Sequence, residues 1–359
     1  MRRRILFLLA TATLPVAVAT CGPSQIRNQR APSGPRAIEP EAGERHLANI
    51  HQLTFGGENA EAYWSADGSR LIFQSTRDGR SCDQQFIMDA DGGNVRRVSN
   101  GTGKTTCGYF FDRDRRIFFS STHHADSACP PRPDFSRGYV WRLEPFDIYT
   151  ANARGEDLRR LTNWNAYTAE GTLSPDGSRI VFTSTKDGDL EIYTMRTDGS
   201  DVRRLTTTPG YDGGAFFSPD GSKIVYRANH PADSVSLAEY RGLLAQGLVR
   251  PSRMEIWTMN ADGTNQRQVT NLGGANFAPY FTPDGRRIIF ASNHTNPRGR
   301  DFDLYLVELD GSGLDRVTTH SDFDSFPMFS PDGKRLVWAS NRHAARPGET
   351  NIFVADWRE

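Results

Sequence analysis

Short stretches of β-branched and aromatic residues alternate with polar turn sequences over most of the chain. Residues 171–206 show the pattern: RIVFTS, EIYTM and VRRLT are separated by KDGD and TDGS, and SPDG precedes the first of them. SPDG is typical of a type I turn, because proline presets the backbone at the second position and glycine suits the fourth. With the short segment before SPDG, the pattern predicts a four-stranded antiparallel meander.

The meander is repeated along the chain. LSPDGSRIVF (173–182), FSPDGSKIVY (217–226), FTPDGRRIIF (281–290) and FSPDGKRLVW (329–338) are its most similar copies, and six copies begin near residues 62, 108, 171, 215, 279 and 327. Four strands per copy and a period above 40 residues predict an all-β, six-bladed β-propeller of four-stranded antiparallel blades. The last copy ends after its third strand, and ANIHQLT (48–54) matches the missing fourth strand. The N-terminal strand is therefore expected to complete the last blade and close the ring, with residues 46–359 as one domain.

The phrases FSPDGSKIVY, DLEIYTMRTDGSDVRRLT and GGANFAPYFTPDG resemble the repeats of the TolB-type (WD40-like, PD40) propeller family. The resemblance covers all six copies and implies a six-bladed ring. TolB carries a further α/β domain before its propeller, which is not expected here because only residues 1–45 precede the repeats. The repeats also resemble the propellers of prolyl-oligopeptidase-type enzymes, but the chain has no G-x-S-x-G motif. Oligogalacturonate lyases, with similar repeats, carry a metal on His residues of a seven-bladed ring.

The first residues have the composition of an export signal. MRRR is a charged start, and the apolar stretch after it is too short to span a bilayer, which predicts a signal peptide over residues 1–21. VATC resembles a lipobox with Cys21 as the acylated residue, although Thr20 departs from the usual pattern, and AVA (17–19) would instead suit ordinary signal peptidase. Residues 22–45 have almost no large apolar side chains and are predicted to be a disordered tether. The expected location is the periplasmic side of the cell envelope, with a lipid anchor in the outer membrane.

The charge balance restricts the partners. The chain has 43 Lys and Arg and 43 Asp and Glu residues, so its formal net charge is zero. No global field attracts it to nucleic acid or to anionic membranes. We therefore expect no nucleic-acid partner, and contact with a membrane only through a lipid on Cys21.

Large insertions fall on one face of the predicted ring. Between the second and third strands, Ile117 and Asp147 are 30 residues apart and Ile224 and Glu255 are 31 apart, whereas Ile180 and Glu191 are 11 apart. We call this side, which also carries the crossings between blades, the loop face, and the side with the SPDG turns the turn face. Long loops on a rigid scaffold are where binding sites usually lie. The alternative is that these surface loops have lengthened by sequence drift without any function.

The two insertions differ in character. Residues 124–146, which we call the flap, are rich in proline and aromatic residues and are expected to be ordered but irregular. Residues 236–249 open with a capping-box pattern, Ser236 and Glu239. Leu237, Tyr240, Leu244 and Leu248 form an apolar stripe, so a short helix is predicted on the rim. This helix either only packs the loop against the rim or acts as a lid or a partner-docking helix.

Aligned copies give three columns of ring positions near the loop face. Just past each second strand lie only basic or imidazole side chains: Arg77, His123, Lys186, His230, His294 and Arg342. Six residues before each turn serine or its counterpart lie small polar residues: Asn59, Thr105, Thr168, Asp212, Asn276 and Asp324. Two residues further on, the third column holds Glu61, Cys107, Glu170, Gly214, Ala278 and Phe326.

The columns allow three interpretations. The basic column, with Asp212, Asn276, Asp324 and Glu170, could form a channel mouth for an anionic or sugar-like ligand. His123, His230 and His294 could ligate a divalent metal, the only cofactor considered. The structural alternative is that each basic residue caps strand-end carbonyls or pairs with a neighbouring carboxylate, a device that repeats copy without any ligand.

Three cysteines fall on the loop face of blades 1 and 2: Cys82, Cys107 and Cys129. An oxidising compartment permits one disulfide, which would anchor the flap, and Cys107–Cys129 or Cys82–Cys107 are the pairings considered. A metal site with His123 or His124 is the minor interpretation, since it lacks C-x-x-C spacing.

Two functions remain from the sequence. The first is a cell-envelope binding propeller that presents its loop face and channel mouth to a protein, peptide or glycan. The second is a metal-dependent carbohydrate lyase or hydrolase with its site in the channel mouth. The chain has no recognisable nucleophile motif, paired-carboxylate motif or phosphate loop, which favours binding over catalysis.

Overall fold

The repeated apolar segments form strands in the computed structural model, which describes residues 34–136 and 138–359. Each repeat folds into an antiparallel sheet, and six such sheets are arranged as blades. The predicted all-β, six-bladed propeller is therefore confirmed. The predicted signal peptide and Cys21 lie outside the described residues.

The chain enters the fold through β1 (Arg36–Ile38) and β2 (Leu47–Gln52). Blade 1 contains β3 (Asn59–Trp64), β4 (Arg70–Ser75), β5 (Gln84–Asp89) and β6 (Arg96–Arg97). Blade 2 contains β7 (Thr105–Phe111) and β8 (Arg116–Ser121), then, after the short flap strand β9 (Trp141–Arg142), β10 (Asp147–Asn152) and β11 (Arg159–Arg160). Blade 3 contains β12 (Thr168–Leu173), β13 (Arg179–Ser184), β14 (Glu191–Arg196) and β15 (Arg203–Arg204).

Blade 4 begins with β16 (Tyr211–Phe217) and β17 (Lys223–Asn229). Its insertion carries α1 (Ser234–Leu244) and β18 (Leu248–Val249), and β19 (Glu255–Asn260) and β20 (Arg267–Gln268) complete the blade. Blade 5 contains β21 (Asn276–Phe281), β22 (Arg287–Ser292), β23 (Asp303–Glu308) and β24 (Asp315–Arg316). Blade 6 contains β25 (Asp324–Phe329), β26 (Arg335–Ser340) and β27 (Asn351–Trp357).

The N-terminal strand closes the ring, as predicted. β2 pairs antiparallel with β27, so the last blade combines both ends of the propeller sequence. β1 then pairs with β2 and makes this sheet five-stranded. The prediction of a disordered tether up to residue 45 is therefore wrong for its described part, from residue 34 onward. Composition misses this segment because its order comes from hydrogen bonds to an existing sheet edge rather than from large apolar side chains.

A buried ion pair fixes this entry segment to blade 6. The Arg342 guanidinium donates hydrogen bonds to both oxygens of Glu44, at 2.9 and 3.3 Å, and to Asp324 at 3.0 Å. Arg342 and Glu44 are almost completely buried. Two carboxylates and one guanidinium out of water stabilise the fold only while all three are present.

The predicted rim helix is present, with a different start. α1 begins at Ser234, and its N-cap is Asp233, whose carboxylate accepts from the amides of Val235 and Ser236 at 2.9 Å. The predicted cap at Ser236 is wrong, because the helix already begins at Ser234 with Asp233 as its cap and Ser236 lies within the first turn. Tyr240 is the buried residue of the predicted stripe. Within the described residues, no helix combines the length and the apolar character that a bilayer crossing requires.

Replacing Arg342 by Met should lower the free energy of unfolding by about 3–5 kcal/mol, because Glu44 and Asp324 would stay buried without a counter-charge. Urea unfolding followed by tryptophan fluorescence measures the change. Arg346→Met is the control, since Arg346 is exposed on the following loop; its effect should stay below about 0.5 kcal/mol. Equal stability of the two variants would contradict the role of this ion pair.

Candidate functional site

The first strand of every blade lines the propeller axis and contains a β-bulge. The pairing register with the second strand shifts in the middle of each of these strands. The bulge residue has a left-handed backbone, with φ between 50° and 62°. These residues are Glu61, Cys107, Glu170, Gly214, Ala278 and Phe326. All six line one cavity, so the bulge turns the third sequence column toward the axis.

Aromatic rings close this cavity on the side of the turn face. The ring centroid of Tyr63 in blade 1 lies 5.7 Å from that of Phe216 in the opposite blade 4, and 5.6 Å from that of Tyr109. Tyr280 packs against Phe216 at 5.2 Å. Because the first strands run from the loop face to the turn face, the cavity is directed toward the loop face. Its free volume is about 30 Å³, roughly the space of one water molecule.

The cavity wall is polar on one half and apolar on the other. Blades 1 to 3 contribute Glu61, Cys107 and Glu170, whereas blades 4 to 6 contribute Gly214, Ala278 and Phe326. The fold itself therefore accepts any of these side chains at the bulge. Their difference in chemistry gives the channel a charged side.

One of the two glutamates is fully engaged. Arg227 of β17 reaches from blade 4 to the Glu170 carboxylate and forms an ion pair that is largely buried. The other oxygen of Glu170 accepts hydrogen bonds from the Thr183 hydroxyl at 2.8 Å and the Gly214 amide at 2.9 Å. Arg227 also donates to the Tyr211 hydroxyl at 2.6 Å. The charges of Glu170 and Arg227 thus offset one another.

Glycine at position 214 makes room for this arginine. A Cβ atom there would collide with Nη1 of Arg227. Burial opposes the charge of Arg227, but the Glu170 carboxylate outweighs burial and raises the pKa of the guanidinium. Arg227 therefore stays charged beside the cavity.

The other glutamate has an open oxygen. Oε2 of Glu61 is buried and has no hydrogen-bond partner. Burial raises the pKa of Glu61 to about 7, and the hydrogen bond from the Cys107 thiol only partly offsets it. Burial likewise raises the pKa of the Cys107 thiol, so the thiol remains protonated and donates to the carboxyl group. A carboxyl group at this pKa changes its charge near neutral pH.

The flap and the helical insertion together form one structure over the loop face. β9 of the flap pairs antiparallel with β18, with Trp141 opposite Val249. Trp141 lies over the Arg227 guanidinium at 5.2 Å and packs edge-on against Phe277 of blade 5 at 6.3 Å. The Tyr240 hydroxyl lies 2.5 Å from the Asp189 carboxylate and 2.7 Å from the carbonyl oxygen of Gly210, and its single proton is donated to one of these acceptors at a time. We call residues 124–146 and 234–249 together the cover.

A disulfide ties the flap to blade 1. It joins Cys82 and Cys129, whose Cα atoms are 5.8 Å apart, and Cys107 is a buried free thiol. Neither of the two pairings named from the sequence is formed. Cys107 could pair in neither way because it occupies the bulge and points into the channel.

The basic column lies over aromatic pairs rather than around the cavity. Each blade stacks one ring of its second strand on one ring of its third, with centroids 5.7–6.5 Å apart. These pairs are Phe73/Phe86, Phe119/Tyr149, Phe182/Tyr193, Tyr226/Trp257, Phe290/Tyr305 and Trp338/Phe353. Every basic residue of the column lies 4.3–5.4 Å from one of these rings. The geometry therefore favours a repeated cation–π or ring-stacking cap.

The small polar column takes part in the same repeated packing arrangement. All six of its residues are fully buried. His230 and Asp212 are 3.0 Å apart, and in blade 5 Ser292 bonds both Asn276, at 2.5 Å, and His294, at 2.9 Å. Of the ten residues predicted to bind a ligand, only Glu170 lines the cavity.

The three histidines that were candidates for metal ligation lie in different environments. His123 packs against a ring of blade 2 in a tilted arrangement, and His230 and His294 meet rings of blades 4 and 5 edge-on. Burial lowers the pKa of His123 and His294, whereas Asp212 overcomes burial and raises the pKa of His230. In the described part of the chain, no three His, Cys, Asp or Glu side chains form a group that could hold a metal ion.

Sequence reasoning missed Arg227 and the importance of Glu61. Arg227 stands in a column whose other members are Gln74, Ser120, Thr183, Ala291 and Ala339. A single charged residue in the middle of an apolar strand, one blade away from a glutamate column, is a signal that could have identified the pair. For Glu61 the signal was its column, but only the bulge shows that this column faces the axis.

Comparisons with known proteins agree with this architecture. The family model described as the TolB beta propeller domain (PD40) matches residues 140–242 and 243–358. No curated protein matches the chain. Among solved structures, a protein assigned as TolB from Agrobacterium tumefaciens is 19% identical, with a TM-score of 0.58 over 84% of this chain and 91% of that one.

Two other solved structures are enzymes by their descriptions. A gluconolactonase from Xanthomonas campestris is 15% identical, with a TM-score of 0.57 over 90% of this chain and 95% of that one. An oligogalacturonate lyase in complex with manganese is 15% identical, with a TM-score of 0.53 over 91% of this chain and 97% of that one. At these identities the likeness shows the fold alone.

Replacing Glu61 by Gln should stabilise the protein at pH 8 by about 1–3 kcal/mol. The parent must then bury an ionised carboxylate, whereas at pH 5 its Glu61 is protonated and resembles Gln. Because the folded-state pKa is raised to about 7, the unfolded chain releases this proton first, and the contribution of Glu61 to stability falls as pH rises from about 4.5 to 7. Urea unfolding of both chains between pH 5 and 8 measures the difference. A stability difference independent of pH would show that Glu61 does not titrate in this range.

Proposed function

Because the chain belongs to the TolB β-propeller domain family, we propose that it is a cell-envelope interaction module that binds a protein partner on its loop face. The observation that carries this proposal is the cover. A strand pair joins the two insertions, which have unrelated sequences, and a disulfide ties the flap to blade 1. The flap presents an exposed aromatic pair.

The aromatic pair consists of Phe135 and Tyr139. Their rings are stacked with centroids 5.5 Å apart, and the residues are 45% and 58% exposed. Aromatic residues are enriched at protein interfaces, because they bury a large area and lose little conformational entropy. The disulfide at Cys129 and the strand pair at Trp141 fix both ends of the segment that carries them.

The exposed apolar residues of the turn face differ from this pair. Val95, Leu158, Val202 and Leu314 are exposed one per blade, each just before a fourth strand. They occupy the same position of the repeat, so the scaffold explains them. Single exposed apolar residues are normal on a protein surface, and the non-repeated pair on the cover is the one that favours a partner.

A protein partner fits the geometry better than the second hypothesis from the sequence. A metal-dependent carbohydrate lyase or hydrolase needs side chains that converge on a metal, and the described residues contain no such group. A glycan or a free peptide could occupy the same loop face. The exposed aromatic pair on the flap favours a folded protein over these two ligands.

Export is part of the proposal. The predicted signal peptide and lipobox would deliver the propeller to the periplasmic side of the envelope and anchor it through Cys21. The Cys82–Cys129 disulfide supports an oxidising compartment.

Photo-crosslinking in the native host tests the docking face. A benzophenone amino acid at position 135 or 139 should give a discrete adduct with one partner, because these side chains would be buried on binding. The same probe at 158 or 202, which are also exposed but lie on the turn face, is the control. Adducts of equal yield from both faces, or none from the flap, would contradict the proposal.

Metabolic labelling with a fatty-acid analogue tests the anchor. The parent chain should incorporate the label and Cys21→Ser should not, because only the cysteine after the cleavage site is acylated. Cys107→Ser should keep the label. An unlabelled parent chain recovered in the soluble periplasmic fraction would favour ordinary signal peptidase instead.

A further inference from the structure

We propose that the central cavity receives one primary ammonium group, carried by a lysine side chain or a free N-terminus of the partner that docks on the loop face. This inference rests on the proposed function. It names the chemistry by which the channel would recognise such a partner.

The first argument is an open hydrogen-bond acceptor. Oε2 of Glu61 is buried without a partner, and within residues 34–136 and 138–359 the side-chain hydrogen bond to this carboxyl group comes from the Cys107 thiol. A carboxylate accepts about four hydrogen bonds. A buried polar atom without a partner lowers the stability of a fold by about 1–3 kcal/mol. A donor that enters the cavity and bonds this oxygen would remove that cost, which favours its binding.

The second argument is the sign of the charge. Glu170 and Arg227 form an ion pair, and Asp83 has Lys104 at 3.8 Å. Among the described residues no cation forms an ion pair with Glu61, and Arg227, which is paired with Glu170, offsets the charge of Glu61 only in part. A cation is favoured in this position and an anion is repelled.

The third argument is the character of the wall. Tyr63, Phe216 and Phe326 line the cavity together with Glu61. Aromatic faces attract an ammonium group through their quadrupole, more strongly when the group is out of water. The apolar side of the wall, at Ala278 and Phe326, suits the alkyl stem of a lysine.

The size of the cavity favours the smaller organic cation, and the available ligands argue against a metal. A free volume of about 30 Å³ suits an –NH₃⁺ group, which is close to a water molecule in size, better than a larger planar guanidinium. A divalent metal would need several anionic or imidazole ligands, and the described residues offer no such group.

The cation should bind more tightly as pH rises from 6 to 8. Glu61 must be ionised to hold the ammonium, and its pKa of about 7 is raised by burial. The groups that face it are Cys107, Glu170, Arg227 and Asp83. Cys107 and Arg227 keep their charge state over this range, because burial raises the pKa of the thiol and Glu170 that of the guanidinium. Asp83, whose pKa burial raises to about 6, ionises at the lower end of the range and acts in the same direction.

Calorimetry with small probes tests the cavity without the partner. At pH 8, Nα-acetyl-lysine methylamide should bind, whereas its Nε-acetylated form and Nα-acetyl-arginine methylamide should bind at least about tenfold more weakly. Alaninamide, which carries only an α-ammonium, distinguishes a free N-terminus from a lysine. The affinity for the preferred probe should fall between pH 8 and pH 6.

Three variants assign the binding to this cavity. Glu61→Gln should weaken the preferred probe at least about tenfold. Glu58→Gln, an exposed carboxylate three residues earlier in the chain, should leave it unchanged. Ala278→Phe should abolish binding by filling the cavity. Phenylalanine is accepted at this left-handed position because blade 6 already carries Phe326 there.

The outcomes separate this inference from the proposed function. Equal binding of the neutral probe, equal effects of Glu61→Gln and Glu58→Gln, or binding that survives Ala278→Phe would overturn the ammonium site. A cavity that holds water only, with no binding of either ammonium probe, would do the same. If the flap still crosslinks a partner in that case, the docking proposal stands alone.

Discussion

The structure depends on closure of the ring by β2. A blade is stable only when it packs between two neighbours, and an open ring would expose two sheet faces and a strand edge. The pairing of β2 with β27 removes that edge, and the buried Glu44–Arg342 ion pair holds the entering chain against blade 6. The contact between Tyr63 and Phe216 joins opposite blades across the axis. It therefore exists only in the closed ring, and with it the floor of the cavity.

Repetition made the fold readable from the sequence. SPDG turns and alternating strands are local signals, and six copies of them specify a propeller whatever the side chains on the axis are. Even the closing strand could be predicted, because residues 48–54 match the strand that the last copy lacks. The members of each of the three columns of ring positions also occupy equivalent places in the six blades.

The directions of side chains could not be read in the same way. The basic column was predicted at a channel mouth, whereas each of its members lies over an aromatic pair formed by two strands of its own blade. That contact depends on cross-strand register, which no single segment encodes. The disulfide is similar, since the approach of Cys82 and Cys129 depends on how two loops of different blades meet. The order of residues 34–45 arises from an added strand and a buried ion pair, and neither leaves a hydrophobic pattern.

The bulge column is a position at which the fold does not determine the type of side chain. Glycine, alanine and phenylalanine occupy it in blades 4 to 6, so the backbone there demands neither charge nor a hydrogen bond. Arg227 explains both Gly214 and Glu170. Its guanidinium occupies the space that a side chain at position 214 would fill, and its charge is paired with the Glu170 carboxylate. Glu61 has no such explanation in the described part of the chain, because its burial is unfavourable and its Oε2 atom is unpaired. Residues that lower stability without a structural reason are characteristic of binding sites, and this is the physical ground for assigning the charged side of the channel to a ligand rather than to the scaffold.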